Sequence, residues 1–171
     1  MATPVQENLI TSNKSYAANF DKGHLPLPPG KRYTVVTCMD ARIDPAAAFG
    51  IDLGDAHVIR NAGASAKDAL RSIVISQQLL QTQEVLLVKH TGCGMLTFQN
   101  SDATSIVEKN LGPEAVTAVK DQFGGDFLPF KNLEEQVKED VAWLKENKAI
   151  GSNVTVSGWV YDVTTGKVKN V

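Results

Sequence analysis

The sequence predicts an α/β fold: a mostly parallel central sheet flanked by helices, with an N-terminal helical arm. Three observations carry this. First, Tyr33-Thr34-Val35-Val36-Thr37-Cys38, Ala56-His57-Val58-Ile59-Arg60 and Glu84-Val85-Leu86-Leu87-Val88-Lys89 are short, β-branched or apolar runs that read as buried strands. Second, the segment between the second and third runs, Ser65 to Thr82, sets Ala69, Ile73, Ser76, Leu79 and Leu80 on one helical face and is long enough for a βαβ crossover. Third, Leu25-Pro26-Leu27-Pro28-Pro29-Gly30 is too rich in proline for a helix or a central strand, so it separates what precedes it from the main body.

The elements follow in order. Thr3-Pro4 reads as an N-cap with proline at the first helical position, and Leu9, Ile10, Asn13, Tyr16, Ala17 and Phe20 recur at helical spacing. Tethered by an extended connector, this helix is free to pack on another subunit. Pro45 to Phe49 gives a short helical link between the first two strands. Residues 101–123 are helical with a break at Gly112-Pro113, and Leu133 to Asn147 carries Leu133, Val137, Val141 and Leu144 as a core-facing stripe. Val154 to Tyr161 reads as a terminal strand, and Lys167 to Val171 returns from it around Thr164-Thr165-Gly166.

At 171 residues with 43% apolar content, the chain fits one globular domain over residues 1–171, of which 1–24 form the arm. The net charge is −2 with lysine and arginine scattered, which leaves no basic face for nucleic acid or an anionic membrane. Met1 to Glu7 lacks both an apolar targeting core and an arginine-rich amphipathic stretch, and no apolar run approaches membrane-spanning length. A cytoplasmic protein is expected, and in a reducing compartment two cysteines are ligands or free thiols rather than a disulfide.

The chemistry lies at the ends of the first and third strands. Cys38 closes the first, and His90 and Cys93 follow the third. In a parallel sheet of order 2-1-3 these strands are neighbours flanking a topological switch point, so the three side chains converge. Two thiolates and an imidazole suit Zn²⁺, one per chain, and three protein ligands leave a fourth tetrahedral position open. Asp40 and Arg42 follow Cys38 at alternate positions, so an extended turn turns all three toward one pocket. There Asp40 can orient a metal-activated water while Arg42 keeps it ionised.

Simpler readings exist for each residue. Cys38 could be a small buried residue ending a strand, the zinc could be purely structural, and Asp40 and Arg42 could be a surface ion pair. A structural site, however, needs four ligands and has no use for the carboxylate and guanidinium. Arg60 reads as a structural residue paired with a buried carboxylate, His57 as structural, and His24 as an exposed loop residue. Gly92-Cys93-Gly94 and Gly124-Gly125 lack the Lys and Ser or Thr of a phosphate loop.

The constellation resembles the β-class carbonic anhydrases, whose C-x-D-x-R and H-x-x-C motifs are matched by Cys38, Asp40, Arg42, His90 and Cys93. Gly54-Asp55-Ala56-His57-Val58-Ile59-Arg60-Asn61-Ala62-Gly63 is similar to that family's G-[DE]-A-x-V-x-R-N-A-G segment. Val160 to Gly166 resembles the end of short microbial members. The resemblance implies a β-carbonic-anhydrase-like fold, Cys38, His90 and Cys93 as zinc ligands, Asp40 and Arg42 as the catalytic dyad, and backbone amides at Ala62 and Gly63 facing the substrate. It also implies a homodimer or larger homo-oligomer. In some members the aspartate swings in as a fourth ligand. Ala41 departs from the serine common in the first motif, and the short subgroup includes enzymes that hydrolyse carbonyl sulfide or carbon disulfide.

The function expected is that of a zinc enzyme whose metal-bound hydroxide attacks a small linear triatomic substrate, converting carbon dioxide to bicarbonate. Carbonyl sulfide hydrolysis, giving hydrogen sulfide and carbon dioxide, is the alternative, and a non-catalytic zinc-binding domain is the competing class.

Overall fold

The structure, a computed structural model, describes residues 2–171. A five-stranded sheet runs through it in the order β2-β1-β3-β4-β5. β1 (Tyr33–Cys38), β2 (Ala56–Asn61), β3 (Glu84–His90) and β4 (Thr155–Tyr161) are parallel to their neighbours, and β5 (Val168–Asn170) returns antiparallel along β4. The expected 2-1-3 order therefore holds. The chain leaves β1 on one side through α2 (Pro45–Phe49) and comes back on the other through α3 (Ala66–Gln78), which creates the switch point.

The crossover helix shows one departure from the pattern. Ala69, Ile73 and Ser76 are buried as expected, but α3 stops at Gln78 and Leu79 is 67% exposed. The chain turns at Gln81, whose φ is 61°, and the Thr82 amide closes on the Ser76 carbonyl at 3.1 Å. Periodicity continued the stripe past a point where the backbone had already left the helix.

Two apolar clusters meet at the sheet. Val36, Val85, Leu87 and Val156 pack against Ala66, Ala69 and Ile73 of α3 and Leu144 of α6 (Leu133–Glu146). α6 lies so close to β4 that a Cβ on Gly158 would run into Val137. The second cluster gathers Cys38, Ile43, Cys93 and Phe130 at the carboxyl ends of the strands, with Met95 and Tyr161 packed on it. The break at Gly112-Pro113 separates α4 (Asn100–Leu111) from α5 (Pro113–Phe123). Gly112 has a φ of 88°, which ends the first helix, and proline supplies the first residue of the next.

α1 (Pro4–Ala17) forms as the capping residues direct: the Gln6 amide donates to Thr3 Oγ1 at 3.3 Å and the Thr3 amide to Gln6 Oε1 at 2.7 Å. None of its residues is buried, and Leu9, Ile10 and Tyr16 are exposed. The connector after it does dock. Leu25 covers Gly54, and Gly30 and Lys31 donate to the Gly54 and Asp55 carbonyls at 2.8 and 2.9 Å. No helix among the described residues is long and apolar enough to cross a membrane.

Candidate metal centre

Cys38 is the last residue of β1 and His90 the last of β3, while Cys93 sits three residues on, just before a short 3₁₀ turn at Gly94–Leu96. The three ligand atoms lie within 4.8 Å of one another and all three residues are buried. His90 Nδ1 is 2.9 Å from the Thr91 carbonyl, which fixes the proton on that nitrogen and leaves Nε2 as the lone-pair side. Nε2 is fully buried without a hydrogen-bond partner. A buried polar atom in that state is costly unless something else meets it, and a cation between two sulfurs would do so.

The thiols make the same point. The adjoining Cys93 thiol outweighs the cost of burial and, with His90 and the backbone at Asp40 and Gly63, lowers the Cys38 pKa below the ordinary thiol value. Its closeness to Cys38, with burial, pushes the Cys93 thiol well above the ordinary thiol value. A divalent ion held between two sulfurs favours the loss of both thiol protons. Two sulfurs and one imidazole, buried and converging, fit zinc.

Asp40 and Arg42 stand beside this cluster. Arg42 Nε donates to Asp40 Oδ1 at 2.9 Å and Nη2 to Oδ2 at 2.7 Å, and the Arg42 amide adds a third bond to Oδ1 at 2.9 Å. Arg42 Nη2 also reaches the Gly92 carbonyl at 3.0 Å, tying the pair to the loop that carries Cys93. The guanidinium holds the Asp40 carboxyl well below the usual carboxylate range. Oδ2 lies 3.8 Å from His90 Nε2, so the carboxylate borders the centre with both oxygens engaged by Arg42 and does not join the three-residue cluster.

Ala62 and Gly63 lie in a 3₁₀ turn directly after β2, with Gly63 buried and Ala62 at the surface. Gly63 has a φ of 71°, and a Cβ there would sit 2.8 Å from Met95 Cγ, so only glycine fits. Asn61 shapes the turn, its Oδ1 accepting from the Ser65 amide at 2.8 Å and its Nδ2 donating to the Ser65 carbonyl at 3.0 Å. Arg60 corrects its expected role. Among the described residues it pairs with no buried carboxylate and instead donates to the backbone carbonyls of Cys38 at 3.0 Å and Asp40 at 2.7 Å, bracing the chain between Cys38 and Asp40. His57 is structural, with Nδ1 2.7 Å from Ser76 Oγ, and His24 is exposed.

Sequence reasoning passed over Lys89 and Asp140, which form a buried ion pair behind the Gly63 turn with Nζ and Oδ2 3.0 Å apart. A lysine closing a run that must be buried, next to a ligand, is the available signal.

This arrangement defines the class of protein, and the chain belongs to the β-carbonic anhydrase family, a family of enzymes: residues 33–168 match the family model for carbonic anhydrase. Among solved structures it is similar to a carbonic anhydrase from Glaciozyma antarctica, 48% identical with a TM-score of 0.91 over 99% of each chain. It is 38% identical to β-carbonic anhydrase 1 of Mycobacterium tuberculosis across 98% of both chains. A carbon disulfide hydrolase of Acidithiobacillus thiooxidans is 31% identical over 84% of this chain and 78% of its own length.

Proposed function

We propose that this chain is a zinc enzyme that hydrates carbon dioxide to bicarbonate. The carrying observation is the buried, unpartnered Nε2 of His90, gathered with the Cys38 and Cys93 sulfurs beside a carboxylate fixed by an arginine. Cys38, His90 and Cys93 would hold one ion per chain, three donors where zinc takes four. When bound, zinc supplies a Lewis acid that lowers the pKa of a coordinated water from about 15.7 toward ~7.

The chain's own residues do the rest. Asp40, kept ionised by Arg42, is too weak a base to take a proton at neutral pH. It accepts a hydrogen bond and aims the attacking oxygen at the substrate carbon. Arg42, anchored to Gly92, stops the carboxylate from swinging away. Amides at Ala62 and Gly63 face the substrate, and Met95 leans over the turn as an apolar wall. The oxygen adds to carbon, one proton goes to solvent, and bicarbonate leaves.

The carbon disulfide hydrolase relative favours a second reading, hydrolysis of carbonyl sulfide, since its carbon is attacked in the same way. Stopped-flow kinetics on zinc-loaded protein with both substrates separates the two, and the faster one names the enzyme. No turnover of either would leave the non-catalytic class. Ala62→Val is expected to depress carbonyl sulfide turnover more than carbon dioxide hydration, because it adds two methyl groups and even one methylene shifts discrimination in a small pocket by ~1–3 kcal/mol. Equal losses at unchanged zinc content would reject Ala62 as a wall of the pocket.

The proposal extends to the assembly: residues 1–171 as one zinc domain, with 1–24 as an arm lying on a second copy. Supporting it, α1 buries nothing within its own chain while Leu9, Ile10 and Tyr16 stay exposed on it. Light scattering should give a homodimer at micromolar concentration, and removal of residues 1–24 should weaken it. An active monomer at that concentration would refute the arm's role. Both thiols must stay reduced to act as ligands, which fits the cytoplasm.

A further inference from the structure

Behind the metal centre, the Lys89–Asp140 ion pair has no part in the chemistry above. Lys89 is 2% and Asp140 5% exposed. Lys89 and His90 are successive on β3 and therefore address opposite faces of the sheet end. Besides Asp140, the ammonium donates to the carbonyls of Gly63 at 2.8 Å and Ala64 at 3.0 Å, which matches its three protons with three acceptors. Phe130 covers it, its ring centroid 4.9 Å away. Asp140 also accepts from Gln136 Nε2 at 3.0 Å and from the Ala66 amide at 3.3 Å, so α6, β3 and the start of α3 all close on one turn.

That turn is strained. Gly63 has a φ of 71° and Ala64, which carries a side chain, a φ of 51°. Two successive left-handed residues direct their carbonyls inward to the lysine. The same turn borders the Cys38 side of the centre: Cys38 pairs with Asn61 in the β1–β2 ladder, and the Met39 amide donates to the Asn61 carbonyl at 3.0 Å. For stability alone an apolar pair of similar volume would serve as well as a buried ion pair. The distinctive contribution of Lys89 is the fixed position of two carbonyls.

We propose that Lys89 is a positioning residue of the metal centre: with Asp140 balancing its charge, it holds the Gly63 and Ala64 carbonyls inward and thereby sets the amide side of the turn against Cys38 and the substrate space. The inference rests on the zinc-centre reading proposed above. It predicts that removing the ammonium loosens metal binding although no ligand is touched.

The test measures zinc affinity, by competition with a chromogenic chelator, in the parent, in Lys89→Met combined with Asp140→Leu, and in Leu144→Ala, a core truncation on the same helix. The double variant leaves no unpaired buried charge. It should bind zinc about 10–100-fold more weakly than the parent, the range for groups that orient metal ligands. Leu144→Ala should lower thermal stability yet stay within about twofold in zinc affinity, because it leaves all three bonds of the Lys89 ammonium in place. A double variant that binds zinc within about twofold of the parent overturns the proposal. Should the variant fail to fold, hydrogen exchange on the zinc-loaded parent decides: the Ser65 and Ala66 amides, which donate to Asn61 Oδ1 and Asp140 Oδ2, should exchange as slowly as those of β3, and exchange at the rate of exposed loops overturns it. The parent's own titration tests the zinc centre, so failure of that reading is seen separately from failure of Lys89.

Discussion

Cys93→Ser is expected to give a folded protein that loses its zinc on gel filtration and, with it, nearly all turnover. The substitution is close to isosteric at a buried position, so packing around Ile43 and Phe130 changes little. What changes is the donor. A metal ligand must give up its proton, and a serine hydroxyl does so far less readily than a thiol. Removing groups that merely orient ligands already costs 10–100-fold in affinity, so loss of a donor atom should exceed about 100-fold. Elemental analysis reports the zinc and stopped-flow hydration the turnover. Thermal melting adds a third readout, because a ligand that binds only the folded state raises its stability: a chelator should lower the melting temperature of the parent and leave that of the variant unmoved. A variant with full zinc and full activity would remove Cys93 from the centre.

The centre was legible in the sequence because its residue types are scarce and its strands are short. Cys38 and the His90–Cys93 pair each follow a buried run, and a parallel sheet brings such ends together whatever lies between them. Their convergence in the structure bears out that reading of the topology. Arg60 was misread because a charged residue in a half-buried strand suggests a charged partner, and sequence does not show that two backbone carbonyls lie within its reach. Lys89–Asp140 was invisible for a related reason. Asp140 sits on a helix whose Val137, Val141 and Leu144 stripe is read for apolar burial, so the polar residue between them passes as solvent-facing until α6 is laid against β3. Pattern reading locates what is apolar and what is chemically rare. It does not locate a polar group whose partner comes from a distant element.

Asp40→Asn is expected to keep its zinc and lose turnover by about 10²-fold or more, the usual contribution of a positioned catalytic hydrogen-bond partner. The asparagine fills the same space, and its oxygen can still accept from Arg42 Nε and the Arg42 amide. Its amide nitrogen, however, would face Arg42 Nη2 donor to donor where the carboxylate now accepts at 2.7 Å. One arm of the bidentate pair is lost, and so is the negative charge. Arg42 is 54% exposed, so water can solvate the freed guanidinium and the fold should suffer little. The three residues proposed to hold the metal do not include Asp40, so metal content should match the parent. The loss should therefore fall on kcat at constant zinc, which distinguishes this variant from Cys93→Ser, where metal and activity disappear together. Turnover within about twofold of the parent, with zinc retained, would mean that the carboxylate only braces the loop and that some other group aims the attacking oxygen.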